Sequence, residues 1–220
     1  MTIANSGVNV NGTPGQSLLG GVLYLVALYN NAGVLTPIFY AASLLATPTH
    51  IPDTTTGNVG VEVINGNPGA TLIGMVFTNG IGQFTDAPTA RYVASWFNRR
   101  RRYCSLSIAN CSTTNTSYVA LSGGIAFVAW GGEAVQVIFN SFVTNTVAGN
   151  YGVTQVRDDQ GVVIIAVTNF GDNVANSGSW IDQGYEPNEG QRSLTLWGLS
   201  QQAANTYSMS NNVMSGNLII

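Results

Sequence analysis

YGVTQVRDDQGVVIIAVTN, Tyr151 to Asn169, is two strand-like runs folded about one turn. Residues 151–157 and 162–169 are rich in Val, Ile and Thr, the side chains that suit a pleated surface. Between them stands DDQG (Asp158 to Gly161). Aspartate side chains bond nearby backbone in turns, and glycine accepts the left-handed backbone a turn demands. The stretch predicts a β-hairpin. Similar runs precede it at 103–109, 117–121, 124–130 and 134–143, and follow it at 192–199, 204–208 and 213–220. Short strands at this spacing, split by Gly, Asn and Ser, predict an all-β chain with an antiparallel β-sandwich or jelly roll.

Upstream the pattern is also β. LYLVALY reads as a buried strand, and NNAG (Asn30 to Gly33) as a turn using left-handed backbone at Asn or Gly. VEVI (61–64) and ATLIGMVFT (70–78) flank NGNPG, a hairpin signal. IFYAASLLA fits a strand pair or a short helix, and periodicity does not choose between them. Residues 1–17 are polar and rich in Gly and Asn, which predicts an extended N-terminal arm. At 86–98, Asp86 suits an N-cap and Pro88 a first turn, while Val93, Ala94 and Phe97 recur at helical spacing. The expected organisation is therefore an arm (1–17), a small β-domain (18–85), a short helical connector (86–98) and a larger jelly-roll-like domain (99–220).

Charge is scarce. Charged residues make up 8% of the 220, against about 25% in ordinary globular chains. Disordered chains are highly charged and poor in apolar residues, so the composition argues against disorder. A surface short of charge is what remains when identical neighbours cover it, which points to a subunit of an assembly. The net charge of -3 offers no general attraction to nucleic acid or anionic membrane. The first residues lack a basic region followed by an apolar one, so no signal peptide is expected and synthesis in a cytoplasm follows. LLGGVLYLVALY is too short to cross a bilayer, and no membrane insertion is expected. Cys104 and Cys111 are expected to be free thiols.

The chain is a poor substrate for catalytic readings. Its one histidine, His50, lies in TPTHIPD, where an ordinary surface role is the plainer reading. A Ser–His or Cys–His constellation would have to rest on this residue alone, and a His-based metal cluster lacks its second ligand. With no lysine anywhere, Schiff-base chemistry and a P-loop lysine are excluded. Carboxylates remain. Asp172, Asp182, Glu186 and Glu189 form the densest acidic group, within 169–191, the longest stretch without apolar periodicity. That stretch reads as a loop, where binding residues concentrate; Trp180 and Tyr185 give it a composition suited to sugars or a partner surface, although packing of both aromatics against their own domain or a neighbour is the plainer reading. A paired-carboxylate glycosidase is the enzymatic alternative. No cofactor or metal is expected, and the chain is expected not to be an enzyme.

All seven basic residues are arginine, and four stand together in WFNRRRRY (Trp96 to Tyr103). Nucleic-acid affinity scales with the number of phosphates neutralised, and a single basic knot on an acidic chain does not supply it. After a helix over 86–98, Arg99, Arg100, Arg101 and Arg102 would sit where cations offset the helix dipole. In a following strand, Arg100 and Arg102 would share a face with Cys104 and Leu106. Bidentate bonding to carboxylates or carbonyls at a domain or subunit junction, with Trp96 beside it, is the expected role.

LYLVALYNNAG, VEVINGNPGATLIGMVFTNG, RYVASWFNRRRRY and GYEPNEGQRSLTLWGL together resemble a bacteriophage virion protein family of the β-rich fibre or spike type, often described as tail or head fibre proteins. The resemblance covers most of 18–220, and includes the late strand with Gly190, Leu194, Thr195 and Leu196. It departs at Gly69-Ala70-Thr71, where the family carries a pair of arginines. The resemblance implies a homotrimeric virion component with no catalytic residues. Its partners would be itself, other virion proteins and, for host attachment, a host surface glycan or protein. A capsid decoration or collar protein is the alternative within the same class, and a carbohydrate-binding or glycan-cleaving module the alternative outside it.

Overall fold

A computed structural model describes residues 6–170, 176–185 and 187–219. The chain divides into two compact units, Met1–Asp86 with Arg91–Arg99, and Ala87–Ala90 with Arg100–Ile220. Among the described residues the regular structure is all strand apart from one 3-10 turn.

The first unit is one mixed sheet. Its strands are β1 (Ser6–Val10), β2 (Thr13–Ser17), β3 (Leu23–Asn31), β4 (Val34–Ala41), β5 (His50–Pro52), β6 (Glu62–Ile64) and β7 (Asn67–Phe77), in the order β2-β1-β4-β3-β7-β6-β5. β3 and β4 form a hairpin around Ala32 and Gly33, both with positive φ (49° and 90°). Asn30 Oδ1 accepts the Gly33 amide at 2.8 Å. Left-handed backbone therefore falls on Ala32 and Gly33, with the asparagine serving as the acceptor. The ambiguous IFYAASLLA is strand to Ala41 and then a single 3-10 turn, Ala42–Leu44. Tyr24, Leu18, Ala41 and Val76 make a buried cluster, with Phe39 stacked on Phe84 at 5.7 Å.

Two expectations are corrected in this unit. Residues 6–17, expected as an extended arm, are β1 and β2, and β1 pairs in parallel with β4. The expected helix over 86–98 does not form. Its residues are a tight hairpin, β8 (Asp86–Ala87) and β9 (Ala90–Arg91), followed by β10 (Val93–Ser95), which pairs with β7. The cause is local chemistry met by tertiary pairing. Pro88 serves a turn as readily as a helix start, and Tyr92, Val93, Trp96 and Phe97 are weak helix formers. Gly74 lets the chain approach closely, since a Cβ there would lie 2.7 Å from the Ala94 carbonyl oxygen. Phe97, which the helical spacing would have buried, is 68% exposed.

The second unit contains β11 (Arg102–Ile108), β12 (Cys111–Thr113), β13 (Val119–Ala129), β14 (Ala134–Asn145) and β15 (Tyr151–Asp158). It continues with β16 (Val163–Phe170), β17 (Asn176–Tyr185), β18 (Gly190–Ser200) and β19 (Tyr207–Ile219). One sheet runs β11-β19-β14-β17, with β12 also on β19; the other runs β16-β15-β18-β13 and continues into β9 and β8. Leaving aside the short β12, each successive pair of strands from β11 to β19 switches sheets except β15 and β16, which are neighbours in one sheet; this is the pattern of two Greek keys, a jelly roll. One core joins the two sheets, with Cys104, Phe139, Tyr207 and Met214 from one and Ile125, Phe127, Leu194 and Leu196 from the other. Alternation in β14 is regular, its inward Val135, Val137, Phe139 and Val143 all buried. The DDQG hairpin joins β15 to β16, and Asp158 Oδ1 accepts the Gln160 and Val162 amides at 3.0 and 2.7 Å.

The stretch 169–191 is not a loop throughout. Residues 176–185 are β17, the edge strand beside β14. Cys104 is fully buried and Cys111 half-buried, and both are free; burial pushes the Cys111 thiol up from its usual range. No helix among the described residues is long and apolar enough to cross a membrane.

Candidate functional site

The four arginines diverge. Arg99 lies in the first unit, its guanidinium 3.9 Å from the centre of the Trp96 ring, a cation–π stack. Trp96 in turn meets His50 edge-on at 4.9 Å, and His50 Nδ1 lies 2.5 Å from Glu62 Oε1. His50 is therefore not an ordinary surface residue, since its side chain is only 13% exposed and engaged with the Glu62 carboxylate. Arg100 and Arg101 are exposed.

Arg102 belongs to the second unit and opens β11. Its two terminal nitrogens donate to the Val128 carbonyl at 2.9 Å and to Glu133 Oε2 at 2.7 Å. The same carboxylate oxygen accepts the Trp130 amide at 2.9 Å. Glu133 is 2% exposed, so the guanidinium neutralises a carboxylate that water scarcely reaches. A planar fork satisfies two acceptors at once, which a lysine ammonium does less well. No helix precedes these residues, so the expected dipole contribution is absent.

The other described charges are also engaged inside their units. Arg157 lies between the Tyr118 and Trp197 rings, at 4.5 and 4.7 Å. Arg192 pairs with Asp159 at 3.1 Å, and Arg91 with Asp86 at 3.1 Å. Asp53 accepts the Thr55 amide at 2.8 Å, which holds its carboxyl below the usual carboxylate range. Glu189, one of the four clustered acids, accepts the Gly131 amide at 3.4 Å. Asp172 and Glu186 lie outside the described residues, as do the side chains of Trp180, Asp182 and Tyr185. The backbone of the last three is in β17, in register with Phe139, Val137 and Val135 respectively.

Sequence reasoning missed the outer face of the sheet that holds β11, β19 and β14. Here β14 presents Gln136, Ile138, Asn140 and Phe142, β11 presents Tyr103, Ser105 and Ser107, and β19 presents Val213. None of these is charged, while Tyr103 is 50%, Phe142 42% and Val213 36% exposed. The signal lay in the strand period: alternate positions of each run hold only small polar or apolar residues. An uncharged face of this kind, with aromatic and aliphatic side chains among small hydroxyls and amides, has the composition of a buried contact.

No protein-family model matches the chain, and no curated protein matches it. Among solved structures it is similar to the VP2 subviral particle of infectious bursal disease virus, at 14% identity and a TM-score of 0.39, over 92% of this chain and 54% of that one. It is also similar to an insecticidal delta-endotoxin from Bacillus thuringiensis, at 8% identity and a TM-score of 0.36, over 90% of this chain and 42% of that one. A third likeness is to the enzymatically active domain of a bacteriophage CBA120 tailspike protein, at 10% identity and a TM-score of 0.26, over 55% of this chain and 20% of that one. The chain spans about half the length of the first of these.

Proposed function

We propose that the chain is a non-enzymatic structural subunit of a virus particle, assembled with copies of itself through the outer face of β14, β11 and β19. The observation that carries this reading is that face, with Tyr103, Phe142 and Val213 exposed and no charge among its described side chains. Composition points the same way, since only 8% of residues are charged. Jelly rolls serve viral coats and lectins alike, so the fold is compatible with the reading without requiring it. The non-enzymatic part is supported by the described carboxylates, each bonded to an arginine, a histidine or backbone within its own unit.

The finer reading is a fibre, spike or tail-tip of a phage, built as a homotrimer and able to meet the host surface or the next particle component. A decoration or collar protein is the second reading, favoured by a jelly roll that is complete within one chain and can brace a shell as a block. Cryo-electron microscopy of the particle tests both. Density for the jelly roll in a projecting symmetric assembly is the expected result. Density on the lattice sites of the shell would replace the fibre with the decoration reading, and particles lacking the chain would overturn the virion role.

A further inference from the structure

The first unit carries a recess of about 500 Å³ for which self-association provides no use. It is lined by residues of β1, β3 and β4 and by the turn that opens β7. Its volume lies within the roughly 300–1,000 Å³ typical of small-molecule sites. Buried Ile38 and Ala70 line it alongside Tyr40, which is 8% exposed, and Tyr29, which is 42% exposed.

Three observations define what it would hold. First, Asn9 Oδ1 is buried and accepts no hydrogen bond, the one such side-chain atom among the described residues. A buried acceptor left unpaired costs about 1–3 kcal/mol, a cost recovered if the Asn9 amide turns toward a ligand hydroxyl in the recess it lines. Second, Tyr29 is held in place. Gly69 leaves room for its ring, since a Cβ there would stand 3.1 Å from Tyr29 Cε2. A positioned and partly open aromatic ring offers a flat apolar surface with a polar tip. Burial, and next the neighbouring Tyr29, push the Tyr40 hydroxyl above its usual value, so it remains protonated and able to donate at neutral pH. Third, no lining residue is charged; the polar groups are amides and hydroxyls, among them Asn31, Thr36 and Asn67. An ionic ligand would enter without a counter-charge, at a desolvation cost nothing here offsets.

Amide and hydroxyl groups around a seated aromatic ring match a ligand that has several hydroxyls, one apolar face and no charge. A lipid chain would leave the amides unpaired, and a nucleotide would bring phosphates with no cation to meet them. We infer that this recess binds a neutral saccharide, its hydroxyls meeting the amides of Asn9, Asn31 and Asn67 and the C–H face of its ring resting on Tyr29. The site lies within one unit and stands whether or not the chain assembles into particles.

Saturation-transfer-difference NMR on the full chain tests it, with glucose, galactose, mannose, N-acetylglucosamine, lactose and sialyllactose as probes. Transfer to the ring protons of at least one neutral sugar is the expected result, with affinity weakened about tenfold or more by Tyr29→Ala and by Asn9→Ala. Because Tyr29 is substantially exposed, Tyr29→Ala is expected to fold normally; should Asn9→Ala fail to fold, Tyr29→Ala and Asn67→Ala carry the test. Absence of transfer from every neutral sugar would overturn the inference. So would transfer undiminished in folded variants, which would put binding elsewhere, or a preference for sialyllactose over lactose.

Discussion

Arg102→Ala is expected to destabilise the second unit by about 3 kcal/mol or more, the scale on which losing one partner of a buried pair is felt. The asymmetry of the pair sets the sign and the size. Glu133 is 2% exposed and Arg102 16%, so removing the arginine strands a buried carboxylate that keeps the Trp130 amide. Removing the carboxylate is expected to cost less, because Arg102 still reaches the Val128 carbonyl and some water. Replacing both, as Arg102→Met with Glu133→Gln, is expected to recover much of the loss, since neither substitute carries a charge to strand. Urea denaturation of the two single variants and the double variant gives the comparison. Equal stability of Arg102→Ala and the parent chain would show that the pair is not buried as described.

Gly152→Ala is expected to be comparably severe for a different reason. A Cβ at Gly152 would overlap the ring of Tyr207. That ring is fully buried, and its hydroxyl is fixed by Thr154 Oγ1 at 2.6 Å, so it has nowhere to retreat. Overpacking of this kind costs about 1–3 kcal/mol, occasionally more, and here the upper end is expected. Gly123→Ala is the control: a Cβ there meets nothing within 4 Å, and the change is expected to stay within about 0.5 kcal/mol. Thermal midpoints of the two variants, measured side by side, separate crowding at Tyr207 from a general intolerance of alanine for glycine.

How far each element could be read depended on where its stabilising partner lies. The hairpin at 151–169 was legible because both its signals are local, strand composition and an aspartate that closes its own turn. The jelly roll followed from strand spacing, since turns at regular intervals leave few other ways to bury so many β-branched side chains. The segment 86–98 was misread because Pro88 and the spacing of Val93, Ala94 and Phe97 are local signals too, whereas the pairing with β7 that overrides them depends on Gly74, distant in sequence. β17 was taken for a loop because an edge strand needs only the backbone of one neighbour, and Gly and Ser do not prevent that pairing. The arginine stretch announced itself, but Glu133, 31 residues away, carries no mark of being the partner of Arg102. The recess was invisible for a similar reason: Asn9 reaches Tyr29 and Tyr40 through the parallel pairing of β1 with β4, in a segment whose polar composition read as an arm.

Self-association through the outer face of β14, β11 and β19 is the claim on which the particle reading rests. Sedimentation-velocity ultracentrifugation of the full chain across micromolar concentrations, beside Phe142→Arg, tests it most directly. Phe142 is 42% exposed on that face, so arginine there is expected to leave the fold intact while placing a charge in the contact. The parent chain is expected to sediment as a trimer or larger species and Phe142→Arg as a monomer with an unchanged circular-dichroism spectrum, its thermal midpoint lower only by the stabilisation that assembly adds. A parent chain that stays monomeric throughout, or a Phe142→Arg variant that assembles as the parent does, would contradict the claim.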